Sequence, residues 1–420
     1  MSGASGGAAR AGAASPIARL VAARSLNTFG RAVLSATVLW ELYDRTHDKL
    51  VLAAVGVVQV VPVLLLFVPV GALVDRVDRR LLTTAAAALA GAVGVGLACA
   101  SFLGAPVAIY LGLLLVWGCV NAVHAPASGS LVPMIIARAD LIRTNQISSS
   151  LQELAAISGP ALAGLALAAV VPGAVYAAIA ATGLASAALY RSLPRPRAIA
   201  GDAAPAAGAN RRDWRVGLRF IFRTPVLASA LTLDMFAVLF AGVTALLPAV
   251  ASDILQVGPV GFGVLRASQS AGAVAMAITA QRLPPWRRPG RVLLVVVALF
   301  GLATVGFGLS TSFPLSVVLL FACGALDNIS VVIRLTLEQM VVPDAIRGRV
   351  SAVHFVFIGM SNELGAAESG AAAWLLGTVP AIVAGGALAM LVVGVVALRW
   401  PELAAMPPLA ELEPADERGG

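Results

Sequence analysis

The sequence predicts an all-α integral membrane protein whose twelve transmembrane helices form two pseudo-symmetric halves of six helices each. Three observations support this prediction. Hydrophobic residues make up 59% of the chain and charged residues only 12%, whereas soluble proteins carry about 25% charged residues. Twelve apolar segments are long enough to cross a bilayer, and arginines concentrate in alternate connections between them. A long polar connection separates the first six segments from the last six.

The apolar segments alternate with short connections along most of the chain. Their expected bounds are 17–42, 50–74, 81–102, 106–136, 142–170, 172–190, 225–251, 258–281, 290–311, 314–341, 347–375 and 378–399. The expected domains are a disordered cytoplasmic tail at 1–15, the two halves at 16–192 and 225–400, a cytoplasmic linker with an amphipathic helix at 193–224, and a disordered tail at 401–420. The first fifteen residues lack the apolar core of a cleavable signal peptide, so the first span is expected to direct insertion.

The arginines predict the orientation of the chain. With the amino terminus in the cytoplasm, the residues in or beside cytoplasmic loops include Arg76, Arg79, Arg80, Arg138, Arg143, Arg191, Arg195, Arg197, Arg211, Arg212, Arg282, Arg287, Arg288, Arg291, Arg347 and Arg349. The opposite face has almost only Arg45 and Lys49, diluted by Asp44 and Asp48. Because positive loops are retained in the cytoplasm, both termini are expected there, in the inner membrane of the cell. The net charge of +8 therefore reflects topology, and no nucleic-acid partner is expected.

The connection between the two halves changes character along its length. Residues 193–210 are rich in proline and alanine, which is typical of a flexible linker. The arginines that follow recur at near-helical spacing around Trp214, Leu218, Ile221 and Phe222, and this pattern predicts a basic amphipathic helix at the membrane surface.

An internal repeat supports the division into two halves. Asp140-Leu-Ile-Arg143 precedes the fifth span and Asp344-Ala-Ile-Arg347 precedes the eleventh, an offset of 204 residues (344 − 140). Such repeats are typical of secondary transporters. In each copy the aspartate is expected to cap the helix that follows.

A short charged turn joins the second and third apolar segments. It reads Gly71-Ala-Leu-Val-Asp75-Arg76-Val-Asp78-Arg79-Arg80. This spacing closely resembles the signature loop Gly-x-x-x-Asp-Arg-x-Gly-Arg-Arg of the major facilitator superfamily. The one departure is Asp78, where that family prefers glycine. Because glycine there suggests a positive-φ turn, and aspartate is among the few other residues that tolerate one, a strained turn is expected at Asp78.

Two further stretches refine the resemblance. The run from Gly217 to Pro225 is similar to the start of helix seven in the enterobactin-exporter-like and macrolide-efflux-like branch of the superfamily. Gly159, Pro160 and Gly164 in the fifth span resemble the glycine- and proline-containing stretch that distinguishes exporters from importers. Ordinary tight helix packing is the alternative explanation for these small residues.

The resemblance implies the major facilitator fold and a cytoplasmic gate. In that family the aspartate of the signature loop is thought to hold the closed gate against the start of helix eleven, which implies that Asp75 faces the helix beginning near Arg347, with Arg349 as a charge partner. The implied gating residues are Gly71, Asp75, Arg76, Arg79, Arg80, Arg347 and Arg349.

Polar residues form stripes on several spans, following the i, i+3, i+7 spacing of one helix face. They are Arg24, Asn27, Arg31 and Ser35 in span one; Trp117, Asn121, His124 and Ser128 in span four; Asp327, Ser330, Arg334 and Glu338 in span ten; and, more sparsely, Ser229, Thr232, Asp234, Phe236, Phe240 and Thr244 in span seven. Spans one, four, seven and ten line the central cavity in the superfamily. The implied cavity residues are Asn27, Arg31, Asn121, His124, Phe236, Asp327 and Arg334.

These positions suggest roles. Arg31 is expected to contact the substrate, because a guanidinium recognises planar oxyanions; a structural ion pair with an acid on another helix is the alternative. The candidates for reversible protonation are Asp234, Glu153, Asp327 and Glu363. Arg334 and Glu338 are one helical turn apart and are expected to pair with each other. The imidazole of a histidine such as His124 titrates near physiological pH, but a single histidine within a membrane span is more often a hydrogen-bonded packing residue.

The function that these features favour is proton-coupled export (antiport) of small amphipathic molecules, with siderophores or drugs as the classes that the resemblance implies. An uptake symporter or a lysolipid flippase of the same fold is the alternative, and a membrane-embedded enzyme or a transport-dead receptor is a more remote one. The chain has no Gly-x-Ser-x-Gly and no His-Glu-x-x-His motif, and its three cysteines lack metal-site spacing. No catalytic residue, metal or cofactor is therefore expected. The expected partners are the substrate, protons and the lipid bilayer, with the chain as a monomer.

Overall fold

The computed structural model describes residues 15–136, 140–194, 214–282, 284 and 286–412. The amino-terminal half consists of α1 (Pro16–Thr46), α2 (Lys49–Arg76), α3 (Arg79–Phe102), α4 (Val107–Ile135), α5 (Leu141–Ala169) and α6 (Pro172–Arg191). After the surface helix α7 (Trp214–Arg223), the carboxy-terminal half consists of α8 (Pro225–Ala241), α9 (Leu247–Ala249), α10 (Gly258–Ala280), α11 (Pro289–Leu309), α12 (Phe313–Val341), α13 (Arg347–Leu376) and α14 (Thr378–Arg399), followed by α15 (Pro401–Ala404). This is the predicted all-α fold.

The helices begin and end at residues suited to those positions. Ser15 caps α1 by accepting a hydrogen bond from the Ala18 backbone N–H, and Pro16 occupies the first helical position. The helix ends at His47, which has a left-handed φ of 48°. Asp48 then caps α2, so two residues reverse the chain.

Nine helical segments within the described residues are long and apolar enough to cross a membrane. Three further helices, α1, α10 and α13, are as long but more polar. Their charged residues include Arg31, Arg266 and Glu363, which lie in the middle of the helices rather than at their ends. Charged residues in the middle of these three helices therefore lower their hydropathy below that of the other long helices.

The seventh predicted span is less regular than expected. Helix α8 ends at Ala241, and a 3-10 turn, the short α9 and a π-turn at Val250–Ile254 continue it. Gly242 leaves helical geometry with a ψ of 87°, and Pro248 cannot donate a backbone hydrogen bond. These two residues explain the interruption.

The two halves repeat the same packing pattern. In the amino-terminal half α1 packs on α5 and α6, α3 packs on α4 and α6, and α2 packs on α4. In the carboxy-terminal half α8 packs on α13 and α14, α11 packs on α12 and α14, and α10 packs on α12. The halves meet along two seams, α2 against α13 and α5 against α10, which are equivalent under this repeat.

Glycines set the closeness of both seams. A Cβ atom added to Gly164 would lie 2.5 Å from the Pro259 carbonyl oxygen and 2.8 Å from the Cα of Gly263. At the other seam, a Cβ atom on Gly56 would lie 2.6 Å from the backbone nitrogen of Ala367. Side chains at these glycines would force the halves apart, as expected for small-residue packing between membrane helices.

The two ends of the bundle differ in charge and in packing. The arginine-rich end is the end at which α1 begins and α6 ends; there Arg19 donates a 2.6 Å hydrogen bond to the Ser192 carbonyl oxygen. The arginine-poor end carries the α1–α2 connection. At the arginine-poor end one hydrophobic core joins the halves, with Trp40 and Phe262 rings 5.4 Å apart. At the arginine-rich end each half has its own core.

Two expectations about aspartates are wrong. Asp78 has a φ of −55° and caps α3, accepting a 2.9 Å hydrogen bond from the Arg80 backbone N–H, so its turn needs no positive φ. Asp140 lies at the N-cap of α5 but makes no capping hydrogen bond. Asp344 precedes the N-cap of α13 and forms a 2.5 Å ion pair with Arg347 instead.

The segments outside the two halves also refine the prediction. The amphipathic helix is present as α7, which packs on the start of α13 and buries Ile221 while Phe222 is exposed; residues 211–213 lie outside the described residues.

The tail expected to be disordered from 401 onward is structured as far as Leu412, because Leu403 and Met406 are buried in the carboxy-terminal core. Residues 413–420, and the expected tail at 1–14, lie outside the described residues.

Candidate functional site

A polar pocket of about 150 Å³ lies inside the amino-terminal half. Its lining residues come from α1, α4 and α5 and are Arg24, Asn27, Thr28, Arg31, Asn121, His124, Ala125, Ser128 and Gln152. The helical spacing that predicted the polar stripes thus brings the stripes of spans one and four together. Gln152 on α5 completes the lining and was assigned to no stripe.

His124 is the most buried titratable group of this pocket. Its side chain is 8% exposed, and its ring packs edge-on against Tyr190 with centroids 5.7 Å apart. Its Nε2 atom has no hydrogen-bond partner among the described residues. The charges of Arg24 and Arg31 both act on this imidazole. The pocket therefore combines a buried, incompletely bonded ring nitrogen with two cations.

Three charged residues span the two halves at the centre of the bundle. Glu363 on α13 lies within electrostatic range of Arg31 on α1 and of Arg266 on α10. Arg266 also crosses between the halves, since its Nη2 donates a 2.9 Å hydrogen bond to the Ser35 hydroxyl. The Glu363 carboxylate is thus shared between cations of both halves. A change in the distance between the halves would alter the charges around this carboxylate.

A buried ion pair joins two helices of the carboxy-terminal half. Arg334 on α12 pairs with Asp234 on α8, and its Nε donates to the Ser330 carbonyl oxygen at 3.3 Å. Asp327, two turns before Arg334 on α12, lies within electrostatic range of both members of the pair. One carboxylate therefore pairs with the guanidinium, and a second lies within electrostatic range of it.

A second polar contact lies toward the arginine-rich end. Glu338 on α12 pairs with His354 on α13 and accepts a hydrogen bond from the Ser351 hydroxyl. The expected pairing of Arg334 with Glu338 is wrong, because each residue has a partner on a neighbouring helix. Sequence reasoning missed His354. The available signal was the short connection between α12 and α13, residues 342–346, which brings the acid near the end of one helix beside the imidazole near the start of the next.

The other candidates occupy separate places. Phe236 and Phe240 on α8 stack with centroids 5.9 Å apart. Glu153, a proton-coupling candidate, is exposed on α5 and lines neither the pocket nor the ion pair. Gly159 packs against Ala32 of α1; a Cβ atom added to Gly159 would lie 2.7 Å from the Ala32 Cβ. Together with the Gly164 seam, this contact gives the helix-five stretch a packing role.

The residues of the signature loop are held at the arginine-rich end. Arg80 donates to the carbonyl oxygens of Tyr190 and Arg191 at the end of α6, and the Arg79 guanidinium lies 2.9 Å from the Met134 sulfur. The Asp75 side chain lies outside the described residues, so the implied contact of Asp75 with the start of α13 stays a prediction, as does the gating role of Gly71.

A polar cluster around the Glu41 carboxylate at the arginine-poor end was not predicted from the sequence. Glu41 is 4% exposed and accepts hydrogen bonds from Ser101 at 2.7 Å and Tyr110 at 2.8 Å. Arg45 lies 3.7 Å from the same carboxylate and donates to the Tyr110 hydroxyl. These groups join α1, α3 and α4 within one half, which indicates a structural role.

Comparison with known proteins identifies the family. The sequence profile described as "Transmembrane secretion effector" matches residues 14–415, nearly the whole chain. The chain belongs to this family. Similar proteins include the enterobactin exporter EntS of Shigella dysenteriae serotype 1 and that of Escherichia coli; each is 26% identical over 331 residues, covering 78% of this chain and 78% of the relative. This chain is therefore a multi-pass secondary transporter of the major facilitator superfamily, with a small-molecule substrate.

Solved structures support the same fold. A variant of the nucleoside transporter NupG has a TM-score of 0.75 and 10% identity, covering 91% of this chain and 99% of that chain. A bacterial homolog of the human lysosomal transporter Spinster, in an inward-facing and unoccupied conformation, has a TM-score of 0.71 and 14% identity, covering 93% and 98%. At these identities the likeness defines the fold alone. The family match points to a transporter.

Proposed function

We propose that this transporter is a proton-coupled exporter that exchanges protons for small amphipathic molecules, siderophores and drugs among them. The observation that carries the proposal is the placement of two carboxylates near the single guanidinium of Arg334: Asp234 is buried and pairs with it, and Asp327 lies within electrostatic range of both. One arginine neutralises one carboxylate, so the second is the natural place for a mobile proton. The likeness to the enterobactin exporter favours a siderophore as the cargo.

The distribution of charge supports an orientation. The arginine-rich end faces the cytoplasm, since positive loops are retained there. Helix α1 begins and α14 ends at this face, which supports a cytoplasmic position for both termini. The membrane is the inner membrane, and the chain acts as a monomer because each half supplies part of one central site.

The packing of the two halves supports an inward-facing state. At the arginine-poor end the halves share a hydrophobic core, and the Tyr43 hydroxyl donates a 2.5 Å hydrogen bond to Asp253 across them. At the arginine-rich end the described cores are separate. Cargo therefore enters the central cavity from the cytoplasm in this state. Formation of the implied contact between Asp75 and the start of α13 closes that end in the other state.

The charged groups of the carboxy-terminal half supply a route for the proton. In the outward-facing state a proton reaches the carboxylates beside Arg334. The charges of Arg334 and His354 both act on Asp234, and His354 pairs with Glu338 close to the arginine-rich end. In the inward-facing state the proton leaves through this histidine–glutamate pair toward the cytoplasm.

The central residues link the proton to the cargo. Glu363 is shared between Arg31 of one half and Arg266 of the other. Cargo that engages Arg31 competes with Glu363 for the same guanidinium, and rocking of the halves changes the distance between these charges. The cargo and the proton thus act on one set of charges, as coupling requires.

Cargo-driven proton movement in proteoliposomes tests the proposal. A lumenal pH dye is followed while a catecholate siderophore or an amphipathic cation is added on the arginine-rich side. Antiport predicts that the lumen becomes more alkaline as cargo enters. Asp327→Asn should lose this signal, whereas Asp44→Asn, an exposed aspartate at the arginine-poor end, should retain it.

Other outcomes would select the alternatives. Acidification of the lumen on cargo entry would mean symport and would overturn export. Movement of lysolipid with no response to soluble cargo would favour a flippase of the same fold. Loss of the signal in Asp44→Asn as well as in Asp327→Asn would show that coupling is not specific to the carboxylates beside Arg334.

A further inference from the structure

The pocket between α1, α4 and α5 holds two cations that have no counter-ion of their own among the described residues. None of the carboxylates in the described part of the chain forms an ion pair with Arg24 or Arg31. The nine lining residues include no acid. Glu363 acts on Arg31 from the other half but is shared with Arg266. Because charged side chains within membrane spans are usually paired with an opposite charge, this surplus of positive charge favours an anionic occupant.

His124 gives an independent indication of a ligand. Its side chain is more than nine-tenths buried and lines the pocket, and its Nε2 atom has no hydrogen-bond partner among the described residues. Buried polar atoms in proteins are almost always hydrogen-bonded. A polar ligand in the pocket would supply the missing partner.

The size and lining of the pocket restrict the ligand. A cavity of about 150 Å³ in an apolar protein core accommodates benzene, and this pocket has about the same volume. Arg24 and Arg31 lie two helical turns apart on one face of α1, so both guanidinium groups can reach one planar group. Amide side chains of Asn27, Asn121 and Gln152 offer hydrogen bonds to its substituents. Guanidinium groups bind planar oxyanions in bidentate fashion and stack on aromatic rings.

We propose that this pocket is a subsite for an aromatic oxyanion, a carboxylate or phenolate carried on a ring, and that Arg24 and Arg31 hold its charge. That this ligand is a portion of the exported cargo rests on the proposed function. The subsite itself depends only on the pocket.

Binding of benzoate and of its neutral isostere benzamide to the purified full-length protein tests the subsite. Isothermal titration calorimetry in detergent is expected to show benzoate binding at least about tenfold more tightly than benzamide. Arg24→Gln and Arg31→Gln should each weaken benzoate binding about tenfold, which is about 1.4 kcal/mol, and leave benzamide binding unchanged. Arg143→Gln, which removes an exposed arginine of the same half, is the charge-matched control and should bind benzoate as the wild type does.

A second variant keeps the test independent of the arginines. Gln152→Glu places a carboxylate in the pocket without removing either cation, and it should abolish benzoate binding while the elution profile of the protein stays that of the wild type. Equal affinities for benzoate and benzamide, or equal weakening by Arg143→Gln and Arg24→Gln, would overturn the subsite.

The two proposals fail in different ways. Arginine-dependent benzoate binding without any cargo-driven proton movement would retain the subsite and reject coupled export. Coupled export together with benzoate binding that is unchanged by substitution of Arg24, Arg31 and Gln152 would retain the function and reject the subsite.

Discussion

Asp234 and Arg334 are buried together between α8 and α12, with 9% and 3% of their side chains exposed. Removing one partner of such a pair leaves an unpaired buried charge and costs about 3–5 kcal/mol, whereas replacing both by apolar residues is often nearly neutral. The two removals are expected to differ in cost. Asp327 lies within electrostatic range of Arg334, so its charge would still partly balance the arginine if Asp234 were removed.

This difference in cost gives a prediction for unfolding free energies. Arg334→Met should lose about 3–5 kcal/mol, because it leaves two carboxylates without a cation. Asp234→Ala should lose less, and the double variant should be more stable than Arg334→Met alone. Denaturant titration of the four proteins measures the cycle. A double variant whose loss equals the sum of the two single losses would mean that the two residues do not interact.

The cap at Asp78 gives a second prediction at this scale. Asp and Gly are both accepted at the N-cap of a helix and alanine is not, which explains how aspartate can stand where the superfamily prefers glycine. Asp78→Ala should therefore cost about 1 kcal/mol and Asp78→Gly only a few tenths. Thermal unfolding of the two variants side by side tests this. A larger loss with glycine than with alanine would contradict the cap.

Single residues also mark the limit of prediction from sequence. The stripes containing Arg31 and His124 were predicted because helical periodicity fixes which residues of one helix share a face. The partner of Arg334 was not, because Asp234 lies on another helix and the choice between partners depends on tertiary packing. Sequence proximity favoured Glu338, but the short connection between α12 and α13 gives Glu338 a partner in His354.

At the scale of elements, the α5–α10 seam depends on Gly164 and Gly263. A side chain at Gly164 would meet the backbone of α10 at 2.5 Å, so helices α5 and α10 could not keep their present distance. Because this seam lies at the arginine-poor end, a wedge there should open that end and favour the outward-facing state.

Gly164→Leu is therefore expected to lengthen distances across the arginine-poor end and to shorten them across the arginine-rich end. Pulsed electron-spin resonance between labels on the two halves measures both. Gly394→Leu is the matched control, because an added Cβ atom at Gly394 meets nothing within 4 Å. Unchanged distances in Gly164→Leu, or equal changes in the control, would exclude the seam as a determinant of the state.

Element bounds were predictable and element regularity was not. Apolar length and alternating arginines located each long helix to within a few residues. The break after Ala241 and the burial of Leu403 in the carboxy-terminal core arise from local geometry and from contacts distant in sequence. A terminal segment rich in proline, alanine and acid therefore looked disordered although part of it docks.

For the whole molecule, the fold followed from hydropathy, charge asymmetry and repetition, because a bilayer permits few architectures. The mechanism depends on how charges of the two halves face each other. Glu363, Arg31 and Arg266 come from three helices, and no periodicity within one helix places them together. Central to the account is the claim that protons drive cargo outward through the carboxylates beside Arg334.

Cargo accumulation against its gradient tests that claim most directly. In proteoliposomes whose arginine-rich face points outward, an acidic lumen should drive labelled cargo into the lumen above its external concentration, and a protonophore should abolish this accumulation. Asp327→Asn should still exchange cargo between equal pools but should no longer accumulate it. Accumulation driven by an alkaline lumen, or accumulation in Asp327→Asn equal to the wild type, would contradict the account.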